Sequence, residues 1–442
     1  MTATPLTGWG RAITSTARVV GPPDIGPAPA AAASRGALAR GMARSYGDAA
    51  LNAGGVVFDM TSRAGLRRFD AERGVAWVGA GMSLDALLRA VVPHGWFLPV
   101  TPGTRMITVG GAIAADVHGK NHPVAGSIRR HVGGFTLLLA DGTTRWVTPD
   151  DGDVFAATVG GMGLTGPLLD AQLTLRPITA TTLRLRTSTT RDLDATLTAL
   201  DGSHDEYRIA TLDLMRSGGT GGRAIVETAV HDEAPVRGEQ PSLAFAPRHR
   251  ATVPDHLPTG LLNRWTARAL TEAWFARAPR RVRHHRVDMA RYFYPLDAVA
   301  GWNRLYGARG FIQYQFAVPA GQEDALRRIA QRFSTTGCPT FVVVLKRLGP
   351  GAGMLSFPID GWTLAADIPA GVDGLRALLE WCDDQVCEAG GRVYLAKDGR
   401  LRAERMPVMY EDLHQWRRVR DQLDPRGMWR SDLGRRLGLC RS

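Results

Sequence analysis

Lysine is scarce in this 442-residue sequence: of 54 basic residues only three are lysine, Lys120, Lys346 and Lys397. Arginine holds every other basic position, and a solvated surface charge accepts either residue. A site that needs a compact ammonium, or an amine that can lose its proton, does not accept arginine, which stays protonated in proteins. The three lysines are therefore candidate site residues, with chance survival in an arginine-rich sequence as the alternative.

Cysteine is also rare, and its spacing excludes two classes of protein. The four cysteines lie in the C-terminal third without a CxxC pair, which argues against a disulfide framework and against a structural zinc site. His118 and His122 stand four residues apart, but Gly119 lies between them and no third ligand is nearby. A usable site needs three or four ligands, so we expect no metal.

Long apolar runs are missing as well. No stretch reaches the roughly 18 apolar residues of a membrane-spanning helix, and residues 1–20 lack a charged segment followed by an apolar one. We expect no signal peptide and a cytoplasmic protein, or one bound peripherally at the inner membrane. The net charge of +12 suits an anionic membrane, a phosphorylated substrate or nucleic acid. Because the arginines are scattered and not interleaved with aromatic residues, we expect no nucleic-acid partner.

The patterning predicts a two-domain α+β protein, since 442 residues exceed what one core usually supports. From about Gly36 to Arg176, short apolar runs alternate with glycine-rich turns, and a helix is predicted from Ser83 to Gly95. After Pro177, alternating segments are separated by helical ones, which predicts a sheet with helices on one face. We predict a linker at residues 22–34 and a loop over the second domain at residues 249–278.

Two familiar motifs are present only in part. Gly161–Gly166 matches GxGxxG, but Pro167 and a strand-like run follow where a dinucleotide-binding helix should begin. Ala43–Gly47 resembles a nucleophile elbow, yet its first glycine is alanine and no strand-to-helix context accompanies it. We therefore expect neither a Rossmann site nor a serine hydrolase.

Two other segments, residues 39–55 and 102–122, are rich in glycine and small side chains. Glycine lets main-chain N–H groups converge without obstruction, so such turns form nests for the diphosphate of a dinucleotide. The alternative is that both are tight turns between strands. We call these segments the first and the second cradle.

Together with other motifs, the cradles resemble the vanillyl-alcohol oxidase superfamily and, within it, the decaprenylphosphoryl-β-D-ribose 2′-oxidase family. The resemblance covers nearly the whole chain and is carried by LTGWGR (6–11), ARSYGD (43–48), HGKNH (118–122), TVGGMGLTG (158–166), GFIQYQF (310–316), SFPIDGW (356–362), GGRVYLAKD (390–398) and SDLGRRL (431–437). It implies a two-domain PCMH-type FAD-binding fold, with a FAD-binding domain at 1–178. A substrate domain of antiparallel sheet and helices is implied at 179–390, and the segment 391–442 returns to the FAD domain.

The resemblance also implies the site. FAD would be held without a covalent bond, because Arg44 and Ser45 stand near the place where superfamily members carry a tethering histidine. The implied cofactor-binding positions are Gly41, Met42, Ala43, Arg44, Ser45, Tyr46, Gly47, Asp48, Gly103, Thr108, Val109, Gly110, Gly111, Ala115, Val117, His118 and Tyr394. The implied catalytic pair is Lys397 and His118, and the implied substrate-binding positions are Gln313, Gln315, Lys346, Lys120, Phe293, Thr363 and Ala365.

The implied reaction is hydride transfer from the ribose C2′ to flavin N5. It leaves a 2′-keto sugar for an NAD(P)H-dependent partner reductase, with net epimerisation of ribose to arabinose. We expect Lys397 to take the hydroxyl proton while His118 orients the flavin or relays that proton, or the reverse. The alternatives are the same chemistry on a soluble sugar, nucleoside or aminoglycoside, and, more remotely, a non-catalytic flavin-binding protein.

The chain departs from the family at the substrate pocket. Phe293 stands where the family has tyrosine, Thr363 and Ala365 replace an asparagine and a cysteine, and Leu348 replaces a phenylalanine. The cofactor positions are kept while the pocket wall changes. Because Ala365 lacks the thiol that covalent nitroaromatic inhibitors of the family attack, we expect such inhibition to fail.

Overall fold

The computed structural model describes residues 3–23, 25–31, 33–216, 222–233, 242–255 and 257–440. Two sheets occupy the N-terminal part. The strands of the smaller one, in spatial order, are Thr4–Thr7, Thr14–Val20, Val56–Asp59 and Ala37–Arg40. The strands of the five-stranded antiparallel sheet, in spatial order, are Leu66–Asp70, Val75–Gly79, Leu168–Thr174, Val132–Leu138 and Thr144–Val147.

Two capped helices follow in the chain, one before the second cradle and one within it. Leu84–Val91 begins after Ser83, whose hydroxyl accepts from the Ala86 amide at 3.1 Å, and its buried leucines pack into the core under the five-stranded sheet. Val109–Ala114 begins after Thr108, which accepts from the Gly111 amide at 3.1 Å. Each cap satisfies an amide at the start of its helix and fixes where that helix begins.

An eight-stranded antiparallel sheet forms the second part of the molecule. Its strands, in spatial order, are Arg283–Asp288, Thr182–Thr190, Ala224–His231, Tyr207–Leu212, Val343–Leu348, Gly361–Pro369, Phe311–Pro319 and Arg392–Val393. Three helices cover one face of this sheet: Leu193–Asp201, Glu323–Thr336 and Leu375–Glu388. The predicted mixture of helices and antiparallel sheet is confirmed.

The alternation of side chains along each strand determines which residues lie on the face of the large sheet that the helices do not cover. Successive strand residues point to opposite faces, so Tyr314, Leu345 and Leu364 join the helix-covered core. Their neighbours Gln315 and Lys346 lie on the other face, which faces a cavity. Gln315 and Lys346, which come from two different central strands, therefore share one surface.

The C-terminal segment touches both parts of the molecule. Arg392–Val393 pairs with the strand Phe311–Pro319 at the edge of the large sheet. Farther on, Ala37 donates from its amide to the Met428 carbonyl at 2.8 Å and accepts from the Arg430 amide at 2.9 Å. The helices of this segment are Met406–Met409, Leu413–Leu423 and Asp432–Arg436.

Two local predictions are wrong. Residues 22–34 include a short helix, Pro27–Ala31, whose Ala30 is buried in a cluster with Phe58 and Trp429. Residues 249–278 include a 13-residue helix, Arg264–Ala276, capped by Asn263. The Pro- and Ala-rich composition of the first segment and the Pro, Arg and Trp content of the second hid these helices.

The remaining elements are short. They are the helices His122–Ala125, Asp153–Thr158 and Met289–Phe293, the two-residue strands Trp96–Phe97, Arg176–Pro177, Ala251–Thr252 and Val299–Ala300, and the 3-10 turns Met60–Arg63, Val92–His94, Ile128–His131, Pro149–Asp151, Pro295–Ala298, Trp302–Tyr306 and Ala403–Arg405. Within the described ranges, no helix is both long enough and apolar enough to cross a membrane.

Candidate active site

A cavity of about 1080 Å³ lies between the two cradles and the uncovered face of the large sheet. Its volume is at the upper end of the range for small-molecule sites, as a dinucleotide and a substrate together require. The predicted positions that line it are Gly41, Met42, Ala43, Arg44, Ser45, Tyr46, Gly103, Thr108, Gly110, Gly111, Ala115, Val117, His118, Lys120, Phe293, Gln313, Gln315, Lys346, Ala365, Tyr394 and Lys397.

The two cradles touch each other at Gly41. A Cβ on Gly41 would lie 2.2 Å from Thr108 Oγ1, so only glycine lets the backbone of the first cradle approach the cap of the second. Ala43 adopts a positive φ of 54°, a conformation that helps successive amides point the same way. Arg44 lies beside this turn, with its guanidinium 4.0 Å from the centroid of the Trp9 ring.

The second cradle leaves room for a bound group. A Cβ on Gly103 would have nothing within 4 Å, and Gly103 lines the cavity. The first amides of the helix that begins at Val109 are already bonded within the protein, to the Met82 carbonyl, the Ala80 carbonyl and Thr108 Oγ1. The glycine backbone and the open space beside Gly103 suit the diphosphate of FAD, so the residues present fit the predicted cofactor.

All three lysines line this one cavity. Lys120 Nζ donates to the Tyr292 carbonyl at 2.6 Å and lies 3.7 Å from the centroid of the Tyr292 ring. Burial lowers the pKa of Lys120 to about 8 and that of Lys346 to about 8. An arginine would not lose its proton in this environment, which accounts for lysine here.

Lys397 is the most perturbed of the three. Its Nζ lies 3.7 Å from the centroid of the Tyr46 ring in the first cradle. Burial lowers the pKa of Lys397 to about 7, Asp367 partly opposes that change, and Lys346 adds to it. Near neutral pH the amine can therefore hold or release a proton.

Asp367 also lines the cavity, and the sequence reasoning missed it. Gln313 Nε2 donates to Asp367 Oδ1 at 2.6 Å, and burial raises the pKa of Asp367 to about 7. Asp367 is two residues beyond Ala365 on the same strand, so the period-2 pattern that pairs Thr363 with Ala365 also selects it. That pattern is the signal that could have found it.

His118 is buried beside Gln315. Its Nε2 lies 3.1 Å from Gln315 Nε2, and no partner for its Nδ1 is found in the described part of the chain. Burial lowers the pKa of His118 well below 6.5, and the nearby Lys346, His122 and Lys397 lower it further. His118 is therefore a neutral imidazole at physiological pH.

Aromatic rings complete the wall. The Tyr394 ring stacks on Phe357 with centroids 4.6 Å apart, and its hydroxyl donates to the Ala115 carbonyl at 2.8 Å. Phe293 is packed among buried aromatic rings, with the Tyr207 centroid 4.9 Å away. Both positions are rigid, which fixes the shape of the cavity beside the second cradle.

Four predicted positions do not line the cavity. Val109 is fully buried in the core, and Asp48 accepts two bonds of 2.8 Å from Arg436. Gly47 packs on Asp398, whose carbonyl would lie 1.9 Å from an added Cβ. Thr363 lies behind Gln315. These four residues therefore lie behind the cavity lining and pack against other parts of the protein.

The two histidines of the second cradle lie near each other, with ring centroids 6.4 Å apart. His122 Nδ1 accepts from the Gly349 amide at 3.0 Å. Within the described ranges, no group of three or more histidine, cysteine, aspartate or glutamate side chains is placed to hold a metal ion.

Comparison with known proteins defines the class first. Residues 28–148, which contain both cradles, match the model of the FAD binding domain, and residues 376–437 match that of D-arabinono-1,4-lactone oxidase. The second match contains Tyr394, Asp398 and Lys397. The chain is therefore an FAD-dependent oxidoreductase, and FAD is its cofactor.

Full-length relatives then define the family. The chain is 39% identical to decaprenylphosphoryl-β-D-ribose oxidase of Mycolicibacterium smegmatis, over 98% of this chain and 97% of that protein. It is 41% identical, over 81% of its length, to all of an uncharacterized protein in the mprA 5′ region of Streptomyces coelicolor. A D-lactate dehydrogenase of Archaeoglobus fulgidus is 35% identical over 26% of this chain and 25% of its own length. The chain belongs to the decaprenylphosphoryl-β-D-ribose oxidase family.

Proposed function

We propose that this enzyme oxidises the C2′ secondary alcohol of a lipid-linked phosphoribose to a ketone. The observation that carries the proposal is the meeting of all three lysines in one cavity with the glycine backbone of both cradles. Full-length similarity to a protein named decaprenylphosphoryl-β-D-ribose oxidase supports the substrate class. The 2′-keto product would pass to a partner reductase that uses NAD(P)H.

FAD, when bound in the cradles, supplies the hydride acceptor. Lys397 Nζ accepts the proton of the C2′ hydroxyl as the hydride departs. A general base must hold the proton that it takes; burial and Lys346 lower the pKa of Lys397, but Asp367 opposes them and favours the protonated amine. Burial and the neighbouring cations disfavour protonated His118. We therefore assign the base to Lys397, and His118 to hydrogen bonding.

The other polar groups bind and orient the sugar phosphate. Gln313 and Gln315 alternate with Tyr314, so both face the cavity and can bind hydroxyl groups. Lys120 and Lys346 supply positive charge for the phosphate. The buried aromatic wall around Phe293 limits access of water to the sugar.

A second candidate keeps this chemistry on a soluble sugar, nucleoside or aminoglycoside. It is favoured by the departures at Phe293, Thr363 and Ala365, of which Phe293 and Ala365 line the cavity. Site residues decide substrate choice more than the fold does. Anaerobic bleaching of the flavin by a prenylphosphoryl ribose, beside a panel of soluble alcohols, separates the two candidates. A protein that no alcohol bleaches would be a non-catalytic flavin binder.

We also propose that the enzyme meets its lipid-linked substrate at an anionic membrane surface. The helix Arg264–Ala276 buries only Ala267 and exposes Trp265, Leu270 and Trp274 by 68, 56 and 54%. From Ser242 to Arg291 the sequence has ten arginines against three acidic residues. Tryptophan and leucine beside clustered arginine are typical of a helix that lies on anionic lipid.

The position of this helix supports the same proposal. Trp274, Arg250 and Arg283 line the cavity that holds the three lysines. A lipid-linked phosphosugar that enters there would leave its chain toward the exposed helix. The partner reductase is the competing occupant of this surface.

Vesicle sedimentation tests the membrane proposal. We expect the protein to bind phosphatidylglycerol vesicles and not phosphatidylcholine vesicles, and Trp265→Ser/Leu270→Ser to lose most of that binding. Trp146→Ser is the matched control, because Trp146 is 45% exposed on the five-stranded sheet. Absence of binding to anionic vesicles, or equal losses in the control, would overturn the proposal.

A further inference from the structure

Thr363, which does not line the cavity, hydrogen-bonds the pair of side chains that does. Its Oγ1 donates to the Phe316 carbonyl at 2.8 Å and lies 3.3 Å from Gln315 Nε2. Gln315 Nε2 lies 3.1 Å from His118 Nε2. All three side chains are buried.

The direction of each bond follows from a count of protons. A threonine hydroxyl has one proton, and here the short bond to the Phe316 carbonyl uses it. Toward Gln315, Thr363 can therefore only accept. The amide nitrogen of Gln315, with two donors, must face Thr363, which fixes an orientation that atom positions alone leave open.

The second N–H of that amide points to His118. An amide nitrogen does not accept a hydrogen bond, so His118 Nε2 is the acceptor and carries no proton. Neutral His118 must then carry its proton on Nδ1, the buried atom without a partner in the described part of the chain. The Gln315 Oε1 is left to face the cavity.

We infer that Thr363 is a positioning residue: it fixes the Nδ1–H tautomer of His118 and presents Gln315 to the substrate as an acceptor. The effect of Thr363 on the His118 tautomer does not depend on the proposed function. Only the contact of Gln315 with a substrate rests on that proposed function. A donor on the bound sugar, such as a hydroxyl group, is what Gln315 Oε1 would recognise. His118 Nδ1–H is buried and has no acceptor in the described part of the chain.

The residue type at this position matters. An asparagine at this position could turn either its carbonyl or its amide toward Gln315. Threonine, with its hydroxyl proton held by Phe316, offers only an acceptor. The departure at Thr363 therefore removes one of the two orientations of the Gln315–His118 pair.

The groups around His118 keep the tautomer well defined. Burial lowers the pKa of the ring, and Lys346, His122 and Lys397 lower it further, so the doubly protonated form does not compete. Phe357 and Tyr394 pack on the ring with centroids 5.3 Å from it. These contacts hold the ring between two aromatic side chains.

Long-range ¹H–¹⁵N NMR of the histidine rings tests the inference in the purified FAD-loaded enzyme, with His118 identified by its loss in His118→Gln. We expect wild type and Thr363→Ser to show protonated Nδ1 and bare Nε2. In the isosteric Thr363→Val the constraint is lost, and we expect a mixture with the Nε2–H form. An Nε2–H tautomer in wild type, or an unchanged tautomer in Thr363→Val, would overturn the inference.

A kinetic readout accompanies the spectrum. Thr363→Val loses one fixed acceptor, so we expect its KM to rise by about 3- to 10-fold, with a smaller change in kcat. The substrate is whichever alcohol bleaches the flavin. Thr363→Ser should restore both. The tautomer is measured without substrate, so its result stands whether the substrate proves to be lipid-linked or soluble. A Thr363→Val enzyme with wild-type KM would contradict the recognition role of Gln315.

Discussion

Lys397 Nζ lies 3.7 Å from the centroid of the Tyr46 ring, so the C-terminal segment meets the first cradle across the cavity. The contact joins the proposed base to a side chain of the segment that is proposed to bind the cofactor. It also explains why the proposed reaction needs three distant parts of the chain, since Asp367 on the large sheet acts on the same amine.

Removing the amine should stop the chemistry but not FAD binding. We expect Lys397→Ala to remain yellow while the rate of anaerobic flavin reduction falls by about 10²- to 10⁴-fold, the usual effect of a lost general base. Lys397→Arg is the control for charge, because it stays protonated and should be nearly as slow. Stopped-flow absorbance measures both rates. Reduction of Lys397→Ala at the wild-type rate would remove Lys397 from this role.

The pH dependence follows from the same group. Lys397 accepts a proton only when neutral, and burial lowers its pKa to about 7, so the reduction rate should rise through pH 7 and level off above it. Asp367 raises the pKa of Lys397, so Asp367→Asn should move this midpoint to lower pH. An Asp367→Asn midpoint at higher pH would contradict the sign of the interaction.

His118 gives a second, separable effect. His118→Ala removes the neutral ring that bonds Gln315, and we expect either FAD content or the reduction rate to fall. The released FAD absorbance and single-turnover kinetics measure the two effects. A variant normal in both would show that His118 has no part in the site.

Close backbone approach at Gly41 should be essential for cofactor binding. Gly41→Ala places a Cβ 2.2 Å from Thr108 Oγ1, which forces the cradles apart, and we expect loss of most bound FAD. Gly21→Ala is the control, because nothing lies within 4 Å of its added Cβ. FAD titration followed by flavin fluorescence compares them. Equal affinity in the two variants would contradict the cradle model.

Ala365 lines the cavity without a reactive group. We expect mass spectrometry to find no adduct after turnover with the covalent nitroaromatic inhibitors of the family, and Ala365→Cys to gain one. An adduct on the wild-type protein would show that another nucleophile faces the cavity.

The sequence was most informative where chemistry restricts the residue type. Lys120, Lys346 and Lys397 stood out because arginine had replaced lysine everywhere else, and all three line one cavity. The cradles could be predicted because glycine is the residue that permits close backbone approach. Both signals depend on residue type alone and not on contacts between distant parts of the chain.

What the sequence left out depends on long-range contacts. The period-2 pattern of its strand could have selected Asp367, but only the sheet register shows that it lies opposite Gln313. The helix Arg264–Ala276 has weak apolar periodicity because it buries little, so its pattern resembles a loop. The role inferred for Thr363 depends on three hydrogen bonds that join separate strands and the second cradle.

The most direct test of the central proposal is anaerobic bleaching of the purified yellow enzyme by a prenylphosphoryl ribose, beside soluble sugars, nucleosides and aminoglycosides. We predict rapid bleaching by the lipid-linked ribose and slow or no bleaching by the soluble alcohols. Bleaching by a soluble alcohol alone would contradict the proposed substrate and assign the cavity to that compound.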